Sequence, residues 1–138
     1  MKARVKWVED RLMMGEAGSG HVVVMDGPPE LGGRNLGLRP MEMMLLGLGG
    51  CSEFDVLHIL AKSRKQVTRC EVELTAERAD TDPKVFTRIN MHFRVAGPDL
   101  TEKLVEKAVT LSAEKYCSAS IMLGQVVEIT HSFELVEG

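Results

Sequence analysis

The feature of this 138-residue sequence that most constrains its fold is the apolar segment at residues 40–65. Pro40 suits the first turn of a helix, and no other proline interrupts the segment. It ends in basic residues, which stabilise a helix C-terminus. We predict one long helix. Its first half is apolar on nearly every side, which indicates burial on all faces, by a sheet on one side and a partner subunit on another. Three glycines favour close approach of another segment despite costing about 1 kcal/mol each relative to alanine: Gly47, Gly49 and Gly50.

The segments on either side of this helix predict strands, because apolar and polar residues alternate in them. A loop at residues 26–40 holds three of the five prolines and four glycines. A second helix is predicted at residues 100–115, with Asp99 as its capping residue. The polar face of residues 70–77 is rich in Glu and that of residues 87–95 is rich in Arg, so these two segments are predicted to pair as an antiparallel hairpin. The order of elements predicts a single α+β domain over residues 1–138, with strands at residues 1–8, 21–25, 70–77, 87–95 and 127–135. Turns between the first two strands are predicted from Gly15, Gly18 and Gly20.

The composition excludes several classes of protein. Lys and Arg number 17 against 20 Asp and Glu, a net charge of −3, and no basic cluster indicates binding to nucleic acid or to an anionic membrane. The N-terminus mixes charges into the position where a signal peptide would carry its apolar stretch. We therefore expect a cytoplasmic protein that neither binds nucleic acid nor inserts into a membrane.

The three cysteines and four histidines are the candidates for chemistry. An odd number of widely spaced cysteines without a Cys-x-x-Cys pair argues against a disulfide scaffold, a zinc ribbon or a thioredoxin-type site. Cys70, on the apolar face of a strand, is interpreted as core, and His131 as a core histidine whose hydrogen bonds are satisfied. Because no histidines or cysteines have metal-binding spacing, no metal site is predicted.

Cys51 and Cys117 are less easily interpreted. Cys51 lies within the long helix after two glycines, and Asp55 and His58 share its face. His58 is about 10 Å further along the helix, too far for a Cys-His pair. Cys117 follows the second helix, and residues at a helix end fray and can move. Cys51 is either a small core residue or half of a redox pair. Cys117 is either a buried cap residue or the other half, and the sequence leaves these interpretations open.

Two motifs are similar to those of the OsmC/Ohr family, named for osmotically inducible protein C and organic hydroperoxide resistance protein. The segment PMEMMLLGLGGCS, residues 40–52, resembles the first cysteine helix of that family, and EKYCSAS, residues 114–120, resembles its second cysteine motif. The loop before the helix and the order of elements also match, so the resemblance covers nearly the whole chain. Within the family, the chain looks most like a small branch that carries Lys-Tyr-Cys in the second motif.

This resemblance implies an OsmC-like fold, with antiparallel sheets around a long central helix, and an obligate, intertwined homodimer. It implies that Cys51 attacks an organic hydroperoxide and that Cys117 then forms a disulfide with it. A dithiol, a lipoyl group in some members, would reduce that disulfide, with no metal, flavin or haem cofactor.

The resemblance also implies a carboxylate and an arginine that support the thiolate. The family carries a glutamate directly after the proline, but this sequence has Met41 there and Glu42 one position later. Glu42 lies about 13 Å along the helix from Cys51 and on its opposite side, so it would act by orienting an arginine or by crossing the dimer. Arg39 and Arg34 are the candidate cations, Arg34 also for binding substrate. Apolar side chains that would form the substrate wall are Met44 and Leu48.

Two other functions use the same scaffold. A non-catalytic protein would bind a small ligand, or sense the redox state of thiols, in the pocket at the dimer interface. A purely structural dimer would leave both thiols near their ordinary pKa. Turnover of a hydroperoxide with a dithiol distinguishes the enzyme from both.

Overall fold

A computed structural model describes all residues, Met1–Gly138. The chain separates into two compact units, Met1–Leu46 and Gly47–Gly138. Both units combine strands with helical segments, so the α+β class predicted from the sequence is confirmed. The extent of the domain, residues 1–138, stays a prediction.

The first unit contains a three-stranded antiparallel sheet of β1 (Ala3–Glu9), β2 (Leu12–Ala17) and β3 (Val22–Met25), in that order. The sequence predicts β1 and β3 but not β2, because Gly15 is interpreted as a turn residue. Gly15 instead pairs with both neighbouring strands, where an added Cβ would lie 3.2 Å from a methyl group of Val23. A glycine at a crowded position of a sheet therefore looked like a turn.

The loop after β3 is organised by Asp26, whose side chain is 1% exposed. Its carboxylate accepts hydrogen bonds from the backbone N–H groups of Gly27 (2.7 Å), Arg34 (3.2 Å) and Leu36 (3.2 Å). Burial acts to raise the pKa of Asp26, but these hydrogen bonds hold it below its ordinary value. Gly33 packs so closely on Gly27 that an added Cβ would collide with the Gly27 carbonyl. The Pro/Gly-rich loop thus has a defined structure.

The long helix is α1 (Pro40–Lys62), as predicted from its first proline and basic end. Glu42 Oε1 accepts a hydrogen bond of 2.8 Å from the backbone N–H of Arg39 and so caps the first turn. In its most apolar 18-residue stretch only 28% of the residues are buried within this chain, so the predicted burial on all faces is not provided by one copy. By length and composition α1 could cross a membrane, a test that core helices of soluble proteins also pass.

The second unit is built on a three-stranded sheet of β4 (Arg69–Arg78), β5 (Phe86–Ala96) and β6 (Glu128–Leu135), in that order. The β4–β5 hairpin is antiparallel as predicted, and Glu71 lies opposite Arg94. The polar face carries ion pairs from Arg94 to Glu71, Glu73 and Glu134. The opposite face is core, with four side chains of β5 at 0% exposure: Ile89, Met91, Phe93 and Val95.

The last strand pair departs from the prediction of antiparallel sheets, because β6 runs parallel to β5. Parallel strands need a long crossover, and the helical residues between β5 and β6 supply it. That crossover begins with α2 (Glu102–Leu111). Its cap is Thr101, which accepts a hydrogen bond from the N–H of Leu104 at 3.3 Å, so the prediction of Asp99 as the cap was wrong. The helix pattern extends past Leu111 because a π-helical turn, Ser112–Tyr116, continues it.

Candidate functional site: a thiol pair between α1 and α3

Cys51 and Cys117 come together in the second unit, together with Asp55. The two Sγ atoms and a carboxylate oxygen of Asp55 all lie within 4.8 Å of one another. Cys51 and Asp55 are one helical turn apart on α1, so they share a face. Cys117 follows the π-helical turn and caps α3 (Ser118–Leu123), a short helix that the sequence pattern does not predict.

A pair of buried serines holds these two parts of the chain together. Ser52 and Ser112 are both 0% exposed, and their hydroxyl oxygens are 3.1 Å apart. The Ser112 hydroxyl also donates to the backbone carbonyl of Ser52 at 3.2 Å. The Ser112 carbonyl accepts a 2.8 Å hydrogen bond from the N–H of Cys117. Ser112 therefore links the residue after Cys51 to Cys117 itself.

The first turn of α3 directs backbone N–H groups at both sulfur atoms. The N–H of Ser120 donates to Cys117 Sγ at 3.3 Å, and the N–H of Ala119 donates to Cys51 Sγ. Such donors stabilise a thiolate more than a thiol. The turn thus holds both sulfur atoms in place from one side.

The two thiols differ in access to solvent. Cys117 is 0% exposed, whereas Cys51 is half-buried. Cys117 is therefore the buried cap residue that the sequence offers as the alternative to a mobile helix end, because α3 begins on it. Of the two sulfur atoms, Cys51 Sγ is the one that an incoming molecule can reach.

The electrostatics of the site are unusual for a reactive thiol. Burial is the largest effect and raises the pKa of Cys51 above its ordinary value. The N–H of Ala119 lowers this pKa, but Cys117 and Asp55 raise it further. Oδ2 of Asp55 is buried without a hydrogen-bond partner, so the negative charge beside the thiols is not neutralised within the cluster.

The third cysteine is separate from this site. Cys70 lies on β4 opposite Val95. Burial, together with Glu53, raises the pKa of Cys70 to about 12, as expected for an unreactive thiol in the core. His131 differs from its interpretation as a satisfied core histidine, since its Nε2 atom is buried without a partner and burial lowers its pKa.

The remaining predicted site residues have these positions. Glu42 binds the backbone of Arg39 rather than its guanidinium, whose Nη1 donates to the carbonyl of Gly37 at 3.2 Å. Arg34 forms ion pairs with Glu9 and Asp10 within the first unit. Met44 is exposed on α1 and Leu48 is buried at 1% exposure.

A cavity of about 450 Å³ borders Asp55 and was not predicted from the sequence. Its apolar wall includes Ile59, Leu104 and Leu111, and its polar rim includes Lys62 and Lys107. These residues come from α1 and α2, and only the fold brings them together. The position of Lys62 in the last turn of α1 was visible in the sequence, but not what it faces.

Packing of α1 explains one of its three glycines. An added Cβ on Gly49 would lie 2.7 Å from a methyl group of Leu74, so α1 packs directly on β4 there. Gly47 and Gly50 face open space in this chain. The close approach predicted for the three glycines is therefore observed at one of them.

The chain is similar in sequence and fold to known proteins. The family model for OsmC-like proteins matches residues 32–132. Protein YhfA of Escherichia coli is 52% identical, over 99% of this chain and 98% of its own length. A protein from Aquifex aeolicus, described only as hypothetical, has a solved structure with 29% identity and a TM-score of 0.86, covering 99% of this chain and 96% of that one.

A more distant structure shares the fold alone. It is an organic hydroperoxide resistance protein OsmC from Legionella pneumophila, with 19% identity and a TM-score of 0.74, covering 96% of this chain and 95% of that one. The family match covers well over half of the chain and includes both cysteines. The chain therefore belongs to the OsmC-like protein family.

Proposed function

We propose that this protein is a thiol peroxidase that reduces organic hydroperoxides in defence against oxidative stress. The observation that carries the proposal is the pairing of an accessible thiol with a buried one, Cys51 and Cys117, with sulfur atoms within 4.8 Å. Such a pair suits a two-thiol reaction, in which one thiol attacks the substrate and the second completes a disulfide. The name of the Legionella relative supports this choice of substrate.

The reaction would proceed in two steps at Cys51. Its thiolate attacks the terminal oxygen of the hydroperoxide, the O–O bond breaks, and the alkoxide takes a proton to leave as an alcohol. Cys51 is then a sulfenic acid. The Cys117 thiolate attacks that sulfur, an S–S bond forms, and hydroxide leaves and is protonated to water. The substrate is reduced by two electrons, which the two thiols supply.

An external dithiol would then reduce the Cys51–Cys117 disulfide by thiol–disulfide exchange and complete the cycle. The family resemblance suggests a lipoyl group as this reductant. The cavity beside Asp55 would hold the apolar part of the hydroperoxide against Ile59 and Leu104. Met44 and Leu48 stay proposed parts of the substrate wall. We place the reaction in the cytoplasm, where thiols stay reduced between turnovers.

The thiolate also needs a positive charge nearby, because both neighbours in the cluster, Cys117 and Asp55, raise the pKa of Cys51. Arg39 and Arg34 are the candidates to supply it, with Glu42 in a positioning role. Lowering the pKa of Cys51 by a cation would increase the fraction of thiolate at neutral pH.

The direct test is a thiol count on the reduced protein after one equivalent of cumene hydroperoxide. The proposal expects loss of two of the three free thiols and a decrease of about 2 Da in intact mass, since two thiol hydrogens are lost. Both changes should be absent in Cys51→Ser. In Cys117→Ser, Cys51 should stop at the sulfenic acid, trapped with dimedone.

Cys70→Ser is the matched control for this experiment. Cys70 lies outside the pair and its pKa is about 12, so the variant should lose its two remaining thiols as the natural protein does. Three thiols surviving an excess of hydroperoxide in the natural sequence would contradict the proposal.

One observation favours a second function. The raised pKa of Cys51 means that little thiolate is present at neutral pH, which suits a ligand-binding or redox-sensing protein better than a fast peroxidase. A binding protein would show saturable thermal stabilisation by ligand without turnover. A sensor would oxidise once and not cycle with a dithiol.

We also infer that the protein is a homodimer in which a second copy covers α1. Several large apolar side chains of α1 are exposed in one chain, an arrangement that marks an interaction surface. The most exposed is Phe54, at 71%, which stacks on His58 with ring centroids 6.3 Å apart. The others are Met43, Met44, Leu46 and Leu57.

The Phe54→Glu variant is expected to shift the protein from dimer to monomer in light scattering coupled to size exclusion, because a carboxylate would be buried without a partner. Val85→Glu, which changes an exposed residue before β5 in the same way, should leave the dimer intact. A natural protein that is monomeric at micromolar concentration would overturn the inference.

A further inference from the structure

The cluster of Cys51, Cys117 and Asp55 offers more than a disulfide. Three potential metal ligands from two elements, two sulfur atoms and one carboxylate oxygen, lie within 4.8 Å of one another. Cys51 and Asp55 have the spacing of one helical turn that lets two side chains bind one metal ion. The sequence spacing gave no sign of this set, because Cys117 comes from a distant part of the chain.

The cluster itself contains no positive charge, and Lys62 and Lys107 lie at the rim of the cavity beside Asp55. Oδ2 of Asp55 is buried and makes no hydrogen bond, which is costly for a carboxylate. Cys117 and Asp55 both raise the pKa of Cys51, so they disfavour its thiolate. A bound cation would give the orphaned oxygen a partner and would stabilise both thiolates at once.

We propose that Cys51 Sγ, Cys117 Sγ and the Asp55 carboxylate form a three-ligand site for a thiophilic divalent cation of the Zn²⁺ type. Two sulfur donors select zinc-like ions over Mg²⁺ and Ca²⁺, which prefer all-oxygen sites. Three protein ligands leave the fourth tetrahedral position open to water or to an external thiol or carboxylate.

The distances fit such a site after a small adjustment. Zn–S bonds of about 2.3 Å and Zn–O bonds of about 2.1 Å place tetrahedral ligands roughly 3.5–3.8 Å apart. Separations of at most 4.8 Å therefore require movements of about 1 Å, within the range of side-chain rotation.

The surroundings already hold the ligands in position. The Ser52–Ser112 hydrogen bond fixes α1 against the turn before Cys117, and the N–H groups of Ala119 and Ser120 donate to the two sulfur atoms. Outer contacts of this kind orient metal ligands and are part of a functional site.

Binding would release the two thiol protons to solvent and form two metal–thiolate bonds, with no change in oxidation state. The disulfide and the metal complex use the same two sulfur atoms, so one protein molecule holds either the bond or the metal, and oxidation of the pair would release the metal. This site does not depend on the protein being a peroxidase, since it needs only the reduced cluster. In a peroxidase it would act as a reversible inhibitory site.

The test uses the reduced, full-length protein under argon, without any hydroperoxide. Zn²⁺ is titrated in competition with the chromophoric chelator 4-(2-pyridylazo)resorcinol, and Co²⁺ is added separately to report coordination. We expect one Zn²⁺ per chain. Cobalt should give thiolate-to-metal charge-transfer absorption and the strong visible bands of a tetrahedral site. Cys51, the more accessible thiol of the pair, should become resistant to iodoacetamide until EDTA is added.

Variants decide which residues bind the metal. Asp55→Asn should weaken Zn²⁺ binding by about tenfold or more and change the cobalt spectrum, as loss of a direct ligand costs at least as much as loss of an outer contact. Asp99→Asn, an exposed aspartate, and Cys70→Ser are the matched controls and should bind as the natural protein does. Cys51→Ser and Cys117→Ser should each weaken the charge-transfer band, because one of two sulfur ligands is removed, and circular dichroism checks their folding.

Three results would overturn the proposal: zinc that stays wholly with the chelator, equal affinity in Asp55→Asn and the natural protein, or loss of binding in Cys70→Ser. Asp55→Asn keeps the shape of the side chain, so it remains informative if a cysteine variant fails to fold. Failure of metal binding with successful disulfide formation would leave the peroxidase proposal standing, and the reverse result would separate them equally clearly.

Discussion

Replacing Cys51 with serine is expected to reduce the turnover of cumene hydroperoxide by about a thousandfold or more, the scale on which enzymes lose activity when their nucleophile is removed. A serine hydroxyl is not ionised at neutral pH and does not attack a peroxide oxygen. Cys117 cannot take over, because its sulfur is 0% exposed while Cys51 is half-buried. The measurement is the steady-state loss of hydroperoxide with dihydrolipoamide as the reductant.

The pH dependence of the natural protein belongs to the same prediction. Burial raises the pKa of Cys51, so the thiolate is the minor form at neutral pH. The rate of the first step should then rise roughly tenfold per pH unit below that pKa. Asp55→Asn removes a negative charge that raises the pKa, so the rise should move to lower pH and the rate at neutral pH should increase.

The outcomes that count against this mechanism are distinct. Full activity in Cys51→Ser would remove Cys51 from the reaction. A rate that falls with increasing pH would mean that the neutral thiol, or another acid, is required. A slower rate in Asp55→Asn at every pH would identify Asp55 as a proton donor to the leaving alkoxide instead of a charge that opposes the thiolate. Cys70→Ser should match the natural protein throughout.

The periodicity of apolar residues and the positions of proline and glycine were sufficient to predict most of the fold. The alternation in β4 and β5 predicts their pairing, since a shift of one residue would turn Phe93 from core to solvent. The prediction failed where two physical requirements overlap. Gly15 is a strand residue because a side chain would crowd Val23, and a pattern of glycines alone does not distinguish that from a turn.

The direction of β6 could not be predicted for a different reason. Its alternation is the same whether it pairs parallel or antiparallel, and the choice depends on where the crossover returns the chain. That path includes the π-helical turn, Ser112–Tyr116, whose geometry has no simple sequence signal. The parallel pair is therefore a consequence of tertiary packing.

Half of the candidate site was visible in the sequence. Helical spacing places Asp55 on the same face as Cys51, and this requires no knowledge of the fold. The approach of Cys117 depends on two buried serines 60 residues apart, Ser52 and Ser112, whose hydrogen bond no local pattern predicts. A single serine in a helical segment gives no sign of a structural role, whereas here Ser52 and Ser112 position both thiols.

The second large effect is expected in the core of the larger sheet, at Phe93. Its side chain is 0% exposed on the central strand β5, between Val72 on β4 and Phe133 on β6. Phe93→Ala removes a buried ring and leaves a cavity, which lowers the free energy of unfolding by about 3–5 kcal/mol. Domains of this size are stable by only about 5–15 kcal/mol, so the melting temperature should fall by roughly 10–20 °C.

Phe93→Leu is the matched variant, because it retains an apolar side chain of similar volume and should cost less than about 1.5 kcal/mol. Val126→Ala, at a side chain that is 83% exposed, should change the stability by less than about 0.5 kcal/mol. All variants are compared at one protein concentration, since dimerisation makes the melting temperature depend on it. Because the β4–β5–β6 sheet belongs to the same compact unit as both cysteines, Phe93→Ala should also slow disulfide formation near its own melting temperature while leaving it unchanged well below. If Phe93→Ala melts at the same temperature as Phe93→Leu, the side chains around Phe93 have moved to fill the cavity. The core of this sheet would then be deformable and not rigidly packed.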